Sequence, residues 1–336
     1  MKARVQAVEY YLPENVLTNL DLATEFPEWS VDKISAKTGI ERRHIAAPDQ
    51  FSSHLAIAAG ERLFKQKNID RSTIEYLIVC TQSPDYYLPT TACLVQDGLG
   101  LRTEIGATDI TLGCSGYIYA LGLAKGLIES GQVTNVLVIT ADTYSKFINP
   151  KDKSVRTIFG DGSAATLITG SDDDEDHFTG ITYGTNGAGA KNLIVPNGGL
   201  RPGTDISPKA AISERNIEES QYDIFMDGPE IFNFTLDIVP SSVDSILSKA
   251  SLELDDIDLF VFHQANAFML EHLRKKLGVP KEKFFVALEE SGNTVSSTIP
   301  IALVEAERRG ALKPEMRVMI LGFGVGLSWG GMIVKW

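Results

Sequence analysis

The sequence predicts a layered α/β fold in which one unit is used twice. Short apolar strands alternate with segments of helical period along the chain, the pattern of helices packed on sheets. The same succession of elements also occurs twice. Ile74–Cys80 matches Ile257–His263 in pattern, 183 residues further on. Cys114, followed by a helix, Gly131 and the strand Val136–Thr140, is echoed 179 residues later by Asn293, a helix, Gly310 and the strand Arg317–Leu321. Two similar offsets with the elements in one order indicate a duplication, with halves at 1–170 and 171–336. At 336 residues, 43% hydrophobic and 22% charged, the chain is large enough for a sizeable core.

In order, Met1 to Val8 opens the chain as a strand, and Thr18-Asn-Leu-Asp21 reads as a helix cap. A polar segment around Trp29 follows. Ser52–Gln66 places Leu55, Ala56, Ala59 and Leu63 at helical period. Ile74–Cys80 is a short apolar strand, Thr91–Leu99 a short helix, and Val136–Ala141 a buried strand. Phe159-Gly-Asp-Gly162 turns into another strand. Asp109–Ser115 reads as a buried strand end and a tight glycine turn, and Tyr117–Ser130 as a helix apolar nearly all round, hence central. Residues 171–227 form a long irregular stretch between the halves. Its acidic run Asp172–Asp176 reads as a solvated loop, and its Gly- and Pro-rich piece Thr185–Gly203 is expected to fold over the functional face.

A formal net charge of −13 argues against nucleic acid bound through an overall basic surface. No apolar run approaches bilayer-spanning length, and no apolar region follows the basic residues at the start. Cys80, Cys93 and Cys114 form neither a disulfide framework nor a metal-knuckle spacing. Reduced thiols and a cytoplasmic setting are therefore expected.

Cys114 falls where strand gives way to helix, between small residues. Unpaired backbone N–H groups and the positive end of the helix dipole favour a thiolate there, so a lowered thiol pKa is expected. A small buried hydrophobe is the other reading. His263 stands at a strand end in a repeat-equivalent position and opens the polar loop His263-Gln-Ala-Asn266, whereas His44, His54, His177 and His272 read as structural. Cysteine, histidine and asparagine together are the inventory of several cysteine enzymes, the cysteine proteases among them.

The segments Asp109-Ile-Thr-Leu-Gly-Cys114-Ser-Gly-Tyr, Phe159-Gly-Asp-Gly162, His263-Gln-Ala-Asn266, Gly292-Asn293-Thr294 and Gly322-Phe-Gly-Val-Gly-Leu-Ser-Trp-Gly330 follow an order and spacing that resembles the β-ketoacyl-acyl-carrier-protein synthase III family. The resemblance spans essentially the whole chain and implies a thiolase fold with five layers, α-β-α-β-α. It implies that Cys114 accepts an acyl group from a thioester and that His263 and Asn293 donate to the oxygen of a malonyl thioester. The enolate formed as carbon dioxide leaves then attacks the acyl-cysteine. The backbone N–H groups of Cys114 and Val325 would form the oxyanion hole, and Phe323 would keep water away. Trp29, Lys37 and Lys153 fall at CoA-side positions, Asn266 in the substrate loop, and Leu88 on an acyl-pocket loop contributed across a homodimer. Arg274, Lys275 and Lys276 form a basic cluster that could dock a carrier protein. CoA or carrier phosphopantetheine thioesters would be substrates, with no resident cofactor or metal.

The sequence departs from that family at Val325, where glycine is usual, and at Leu88, Lys37 and Lys153, where the family has phenylalanine and arginines. Asn233 and Phe268 replace basic carrier-docking positions. Gly324–Gly326 has no second cysteine, Asn293 replaces the second histidine of elongating enzymes, and the Tyr86–Cys93 loop offers Asp85 but no glutamate. These features favour decarboxylating condensation. The alternatives are acyl transfer to an alcohol or amine without decarboxylation, and a catalytically silent scaffold.

Overall fold

The structure, a computed structural model, describes residues 1–201 and 222–336. Strand β1 (Lys2–Tyr11) leads to β2 (Asn15–Thr18), α1 (Asn19–Glu25), α2 (Val31–Thr38) and β3 (Arg42–Ile45). Thr18 caps α1: its hydroxyl accepts from Asp21 N–H, and Asp21 accepts from Thr18 N–H at 2.8 Å. Next come α3 (Ser52–Lys67), β4 (Tyr76–Cys80), α4 (Thr91–Gly98), β5 (Gly106–Ile110), α5 (Gly116–Glu129), β6 (Asn135–Asp142), α6 (Lys153–Arg156) and β7 (Gly162–Ser171). The rest comprises β8 (Phe178–Thr185), the short pair β9 (Leu193–Ile194) and β10 (Phe225–Met226), α7 (Gly228–Ala250), β11 (Leu259–Phe262), α8 (Ala267–Leu277), α9 (Thr298–Arg308), β12 (Arg317–Gly324) and β13 (Ser328–Lys335).

The two large sheets repeat one topology. The first runs β1-β7-β6-β4-β5 and the second β11-β12-β13-β8. β4 pairs parallel with β6, which pairs antiparallel with β7, which pairs antiparallel with β1. β11, β12, β13 and β8 stand in the same order with the same directions. The counterpart of β5 is reduced to a single parallel bridge between Phe260 and Phe284.

The core divides into layers accordingly. Apolar side chains of α5 and α9 pack with both sheets in one buried cluster, among them Ile118, Leu121, Ile299 and Leu303. Ala120, Ala124, Ala302 and Ala306 are fully buried there and keep the middle layer thin. α3 and α4 cover the outer face of the first sheet, and α7 and α8 that of the second. The five expected layers are all present. At ~1.5–3 kcal/mol per fully buried large apolar side chain, the middle layer alone is a major source of stability.

Three sequence expectations need correction. Residues 171–227 are not all irregular, because β8 lies within them and completes the second sheet. Its glycines and threonines masked the apolar alternation, and Gly184 is needed where the Trp329 ring lies against the strand. β5 is half-exposed along its length, being an edge strand with one neighbour. The polar segment beyond Trp29 is the helix α2, capped by Ser30 and ended by Gly39. Residues 202 and 203 of the covering piece lie outside the described residues, while Ala190, Leu193, Ile194, Val195, Asn197 and Gly198 line a cavity together with Val325 and Gly326.

Candidate active site

Cys114 sits one turn beyond β5, two residues before α5 begins. The backbone N–H groups of Val325 and of Cys114 itself lie near its sulfur and favour its anion. The β12–β13 hairpin lies so close that a Cβ at Gly324 would be 2.9 Å from both Cβ and Sγ of Cys114, which excludes any side chain there. The thiol pKa is not lowered as the sequence suggested. Burial, with the Asp142 carboxylate adding to it, pushes the thiol up to about 12 against the opposing pull of the two N–H groups. A dry pocket penalises the anion more than the helix terminus favours it.

The thiol therefore rests protonated. If free thiolate is the attacking form, acylation kcat/KM should rise about tenfold per pH unit between pH 6 and 9 without a plateau. Rapid-quench intact-mass measurement of acyl transfer reads this directly, and a plateau below pH 8 would show a low-pKa thiolate instead.

His263 follows β11, its N–H donating to Leu321 O at 2.8 Å. Nδ1 lies 2.7 Å from the Thr298 hydroxyl at the start of α9, leaving Nε2 as the uncommitted ring nitrogen. Burial pulls its pKa down to about 3, so the imidazole is neutral over the working range. The ring stands edge-on to Phe323, with centroids 5.6 Å apart. Asn293 is pinned by backbone bonds to Ile158 O and from Gly160 N–H. Its Oδ1 accepts from Val295 N–H at 3.0 Å, which leaves the amide Nδ2 as the free donor. Val295, β-branched, is held at φ +57°, a conformation that costs ~1–3 kcal/mol and is kept by its surroundings.

Cys114, His263 and Asn293 are linked through shared neighbours. Phe323 lies against His263, while Gly324 and Val325 lie against Cys114. Val295, whose N–H orients Asn293, packs in one buried cluster with Cys114 and Phe159. Cys114, His263 and Asn293 are 5%, 2% and 4% exposed.

Sequence reading missed Thr298 and Asp142. The Asp142 carboxylate, at the end of β6, accepts from Gln82 N–H at 2.9 Å and from both N–H and hydroxyl of Ser296, tying the two halves together beside the cysteine. Desolvation raises its pKa to about 7. A lone acid ending an apolar strand was the available signal.

A cavity of roughly 840 Å³ opens beside Val325 and Tyr144. The Trp29 ring carries the ammonium groups of Lys37, Lys33 and Lys153 at 4.6, 5.2 and 5.6 Å from its centroid, and Lys153 pairs with Glu28 at 2.6 Å. Asn266 caps α8, its Oδ1 accepting from Met269 N–H at 2.8 Å. Leu88 is almost fully exposed. Of the basic cluster, Arg274 is engaged by Glu271 and Val279 O, and Lys276 by Leu236 O. Lys275 remains more open, 3.3 Å from Glu271. Asp85 is held by Ser53 N–H and its hydroxyl. Among the described residues, no helix is long and apolar enough to cross a membrane.

A duplicated five-layer α/β core with a buried cysteine ahead of its central helix is the architecture of thiolase-fold condensing enzymes. Residues 108–187 match the family described as 3-oxoacyl-[acyl-carrier-protein] synthase III, and residues 247–336 match that family's C-terminal domain. The β-ketoacyl-[acyl-carrier-protein] synthase III of Caldanaerobacter subterraneus subsp. tengcongensis is 38% identical over 97% of this chain and 95% of its own length. A crystal structure of a 3-oxoacyl-(acyl-carrier-protein) synthase III superposes with a TM-score of 0.94 at 46% identity, covering 100% of both chains. The 3-oxoacyl-(acyl-carrier protein) synthase of Burkholderia xenovorans LB400 gives 0.90 at 38% identity, covering 99% of this chain and 94% of that one. The chain belongs to the 3-oxoacyl-[acyl-carrier-protein] synthase III family, and is a condensing transferase.

Proposed function

We propose that the protein joins an acyl primer to a malonyl thioester, giving a 3-oxoacyl thioester and carbon dioxide, as a priming step of fatty-acid synthesis. The observation that carries this reading is a buried thiol with the N–H groups of Val325 and Cys114 near its sulfur, sharing neighbours with a neutral imidazole and a carboxamide that each have one nitrogen uncommitted. The N-terminal half, 1–170, supplies the nucleophile and the C-terminal half, 171–336, the two side-chain donors. Cys114 Sγ attacks the primer thioester, the carbonyl oxygen turns to the N–H groups of Cys114 and Val325, and the CoA thiol departs with the proton. Malonyl thioester then enters, and His263 and Asn293 hold its thioester oxygen as carboxylate is lost as carbon dioxide. That role requires a proton on Nε2 of His263, which the ring carries when the Thr298 hydroxyl, 2.7 Å from Nδ1, donates there rather than to Val295 O. Phe323, 2% exposed, keeps the imidazole dry.

Trp29 with Lys37 and Lys153 suits an anionic nucleotide such as the adenine end of CoA. A homodimer fits the loop tip Tyr86-Tyr87-Leu88, which exposes three large apolar residues in a row. Lys275 on α8 is the most available cation for a carrier protein, and reduced thiols fit the cytoplasm. The test is incubation with acyl-CoA and malonyl-carrier protein, expecting primer-dependent 3-oxoacyl product with one carbon dioxide per product. Product formed without carbon dioxide, by acyl transfer to an alcohol or amine, would replace this reading.

A further inference from the structure

The cavity beside Val325, the residue that lies against Cys114, is apolar over most of its wall, with Phe147, Leu193, Val195 and Ile224 among its lining. Of the polar residues on that wall, Gln82 is the one that touches the glycine before the cysteine. The Gln82 amide lies against Gly113, the residue before Cys114, so closely that a Cβ at Gly113 would collide with Oε1. Two bonds hold Gln82 in place. Its N–H donates to the buried Asp142 carboxylate at 2.9 Å, and its Oε1 accepts the Tyr144 hydroxyl at 2.6 Å. Tyr144 is buried and packs against Phe147 and Phe159, with centroids 6.0 and 5.4 Å away, which fixes the place of its hydroxyl. Tyr144 thus occupies Oε1, while Nε2 has no hydrogen-bond partner among the described residues and keeps two N–H donors for whatever fills the cavity.

A purely hydrocarbon acyl chain would cover those donors and leave them unpaired, which is unfavourable. A charged acyl group fits no better. Lys146, the lysine on this wall, gives its ammonium to the carbonyls of Ala47 and Pro48 at 3.1 Å each and lies over the Phe51 ring. Asp85 on the same wall is negative and already held by Ser53. A neutral oxygen is the acceptor that matches.

We propose that the primer pocket selects an acyl group bearing a neutral acceptor oxygen near its thioester, a 3-hydroxyacyl or 3-oxoacyl chain, through Gln82 fixed by Tyr144. This rests on the condensing reading above. The acylation step itself is unaltered: the bond from Cys114 Sγ to the acyl carbon forms, the bond from that carbon to the CoA sulfur breaks, and the thiol proton leaves on CoA.

The experiment is acylation of the full-length protein by 3-hydroxybutyryl-CoA, acetoacetyl-CoA and butyryl-CoA, followed by intact mass over time. Acylation kcat/KM should favour at least one oxygenated primer over butyryl by about tenfold or more. Gln82→Met, similar in size without donors, should bring that ratio close to one, and Tyr144→Phe, which frees the amide to turn, should reduce it. A wild-type ratio within about twofold of one, or favouring butyryl, overturns the proposal, as does a ratio that Gln82→Met leaves intact. Should that variant fail to fold, the wild-type ratio and Tyr144→Phe decide. Acylation by butyryl-CoA without discrimination sinks this proposal alone, whereas no adduct with any primer sinks the condensing reading itself.

Discussion

Cys114→Ala is expected to form no adduct with any acyl-CoA and to yield no 3-oxoacyl product, yet to release carbon dioxide from malonyl thioester at a measurable rate. The two half-reactions use different groups: the sulfur receives the acyl carbon, while His263 and Asn293 hold the malonyl oxygen. Removing the sulfur should uncouple them. Cys114→Ser should also lose on the order of a thousandfold or more in acylation. Its hydroxyl is a far weaker acid in a site that already pushes the thiol up to about 12. Folding should survive both changes, because the deletion is small. A loss of ~1–2 kcal/mol of stability is expected, visible as a modest drop in melting temperature. Acylation persisting in Cys114→Ala would move the nucleophile elsewhere. Cys93, exposed and near the Thr90 hydroxyl, would be the residue to examine first.

Much of this arrangement was legible because it depends on local pattern. The duplicated order of strands and helices survives in the sequence because each strand must bury its apolar residues against the same neighbour in both halves, as the matched pairings of β4, β6 and β7 with β11, β12 and β13 show. Cys114, His263 and Asn293 were legible because each stands at the end or start of a predicted element. β8 was not, since five of its eight residues are threonines and glycines, which break up the apolar run.

The Cys114 pKa was misjudged for a related reason. A helix start can be read from sequence, but the burial that outweighs it is a matter of tertiary packing, with Gly324 of the β12–β13 hairpin, 210 residues further on, against the sulfur. Thr298 and the Gln82–Tyr144 pair escaped notice because their significance is a contact, and a hydroxyl or amide among many carries no pattern of its own.

His263→Ala and Asn293→Ala are each expected to lower carbon dioxide release and product formation by about a hundred- to a thousandfold, the usual cost of losing one oxyanion donor, ~2.7–4 kcal/mol. Acyl-cysteine formation should stay within about tenfold of wild type, since the primer oxygen is held by backbone N–H groups that neither substitution touches. The sign of the pH effect follows from the imidazole. With its pKa pulled down to about 3 by burial, His263 is neutral above pH 4 and charged only below it, so carbon dioxide release limited by this donor should be flat from pH 5 to 9. Thr298→Val should give a smaller loss confined to the same half-reaction, because the ring keeps its pocket against Phe323 but loses the hydroxyl 2.7 Å from Nδ1. The double variant of His263 and Asn293 should cost less than the two single losses combined, as both donors serve one oxygen. A bell-shaped profile with a limb near pH 6.5, or loss of acylation and decarboxylation together, would make His263 a proton-transfer base for Cys114 and not a donor to the enolate.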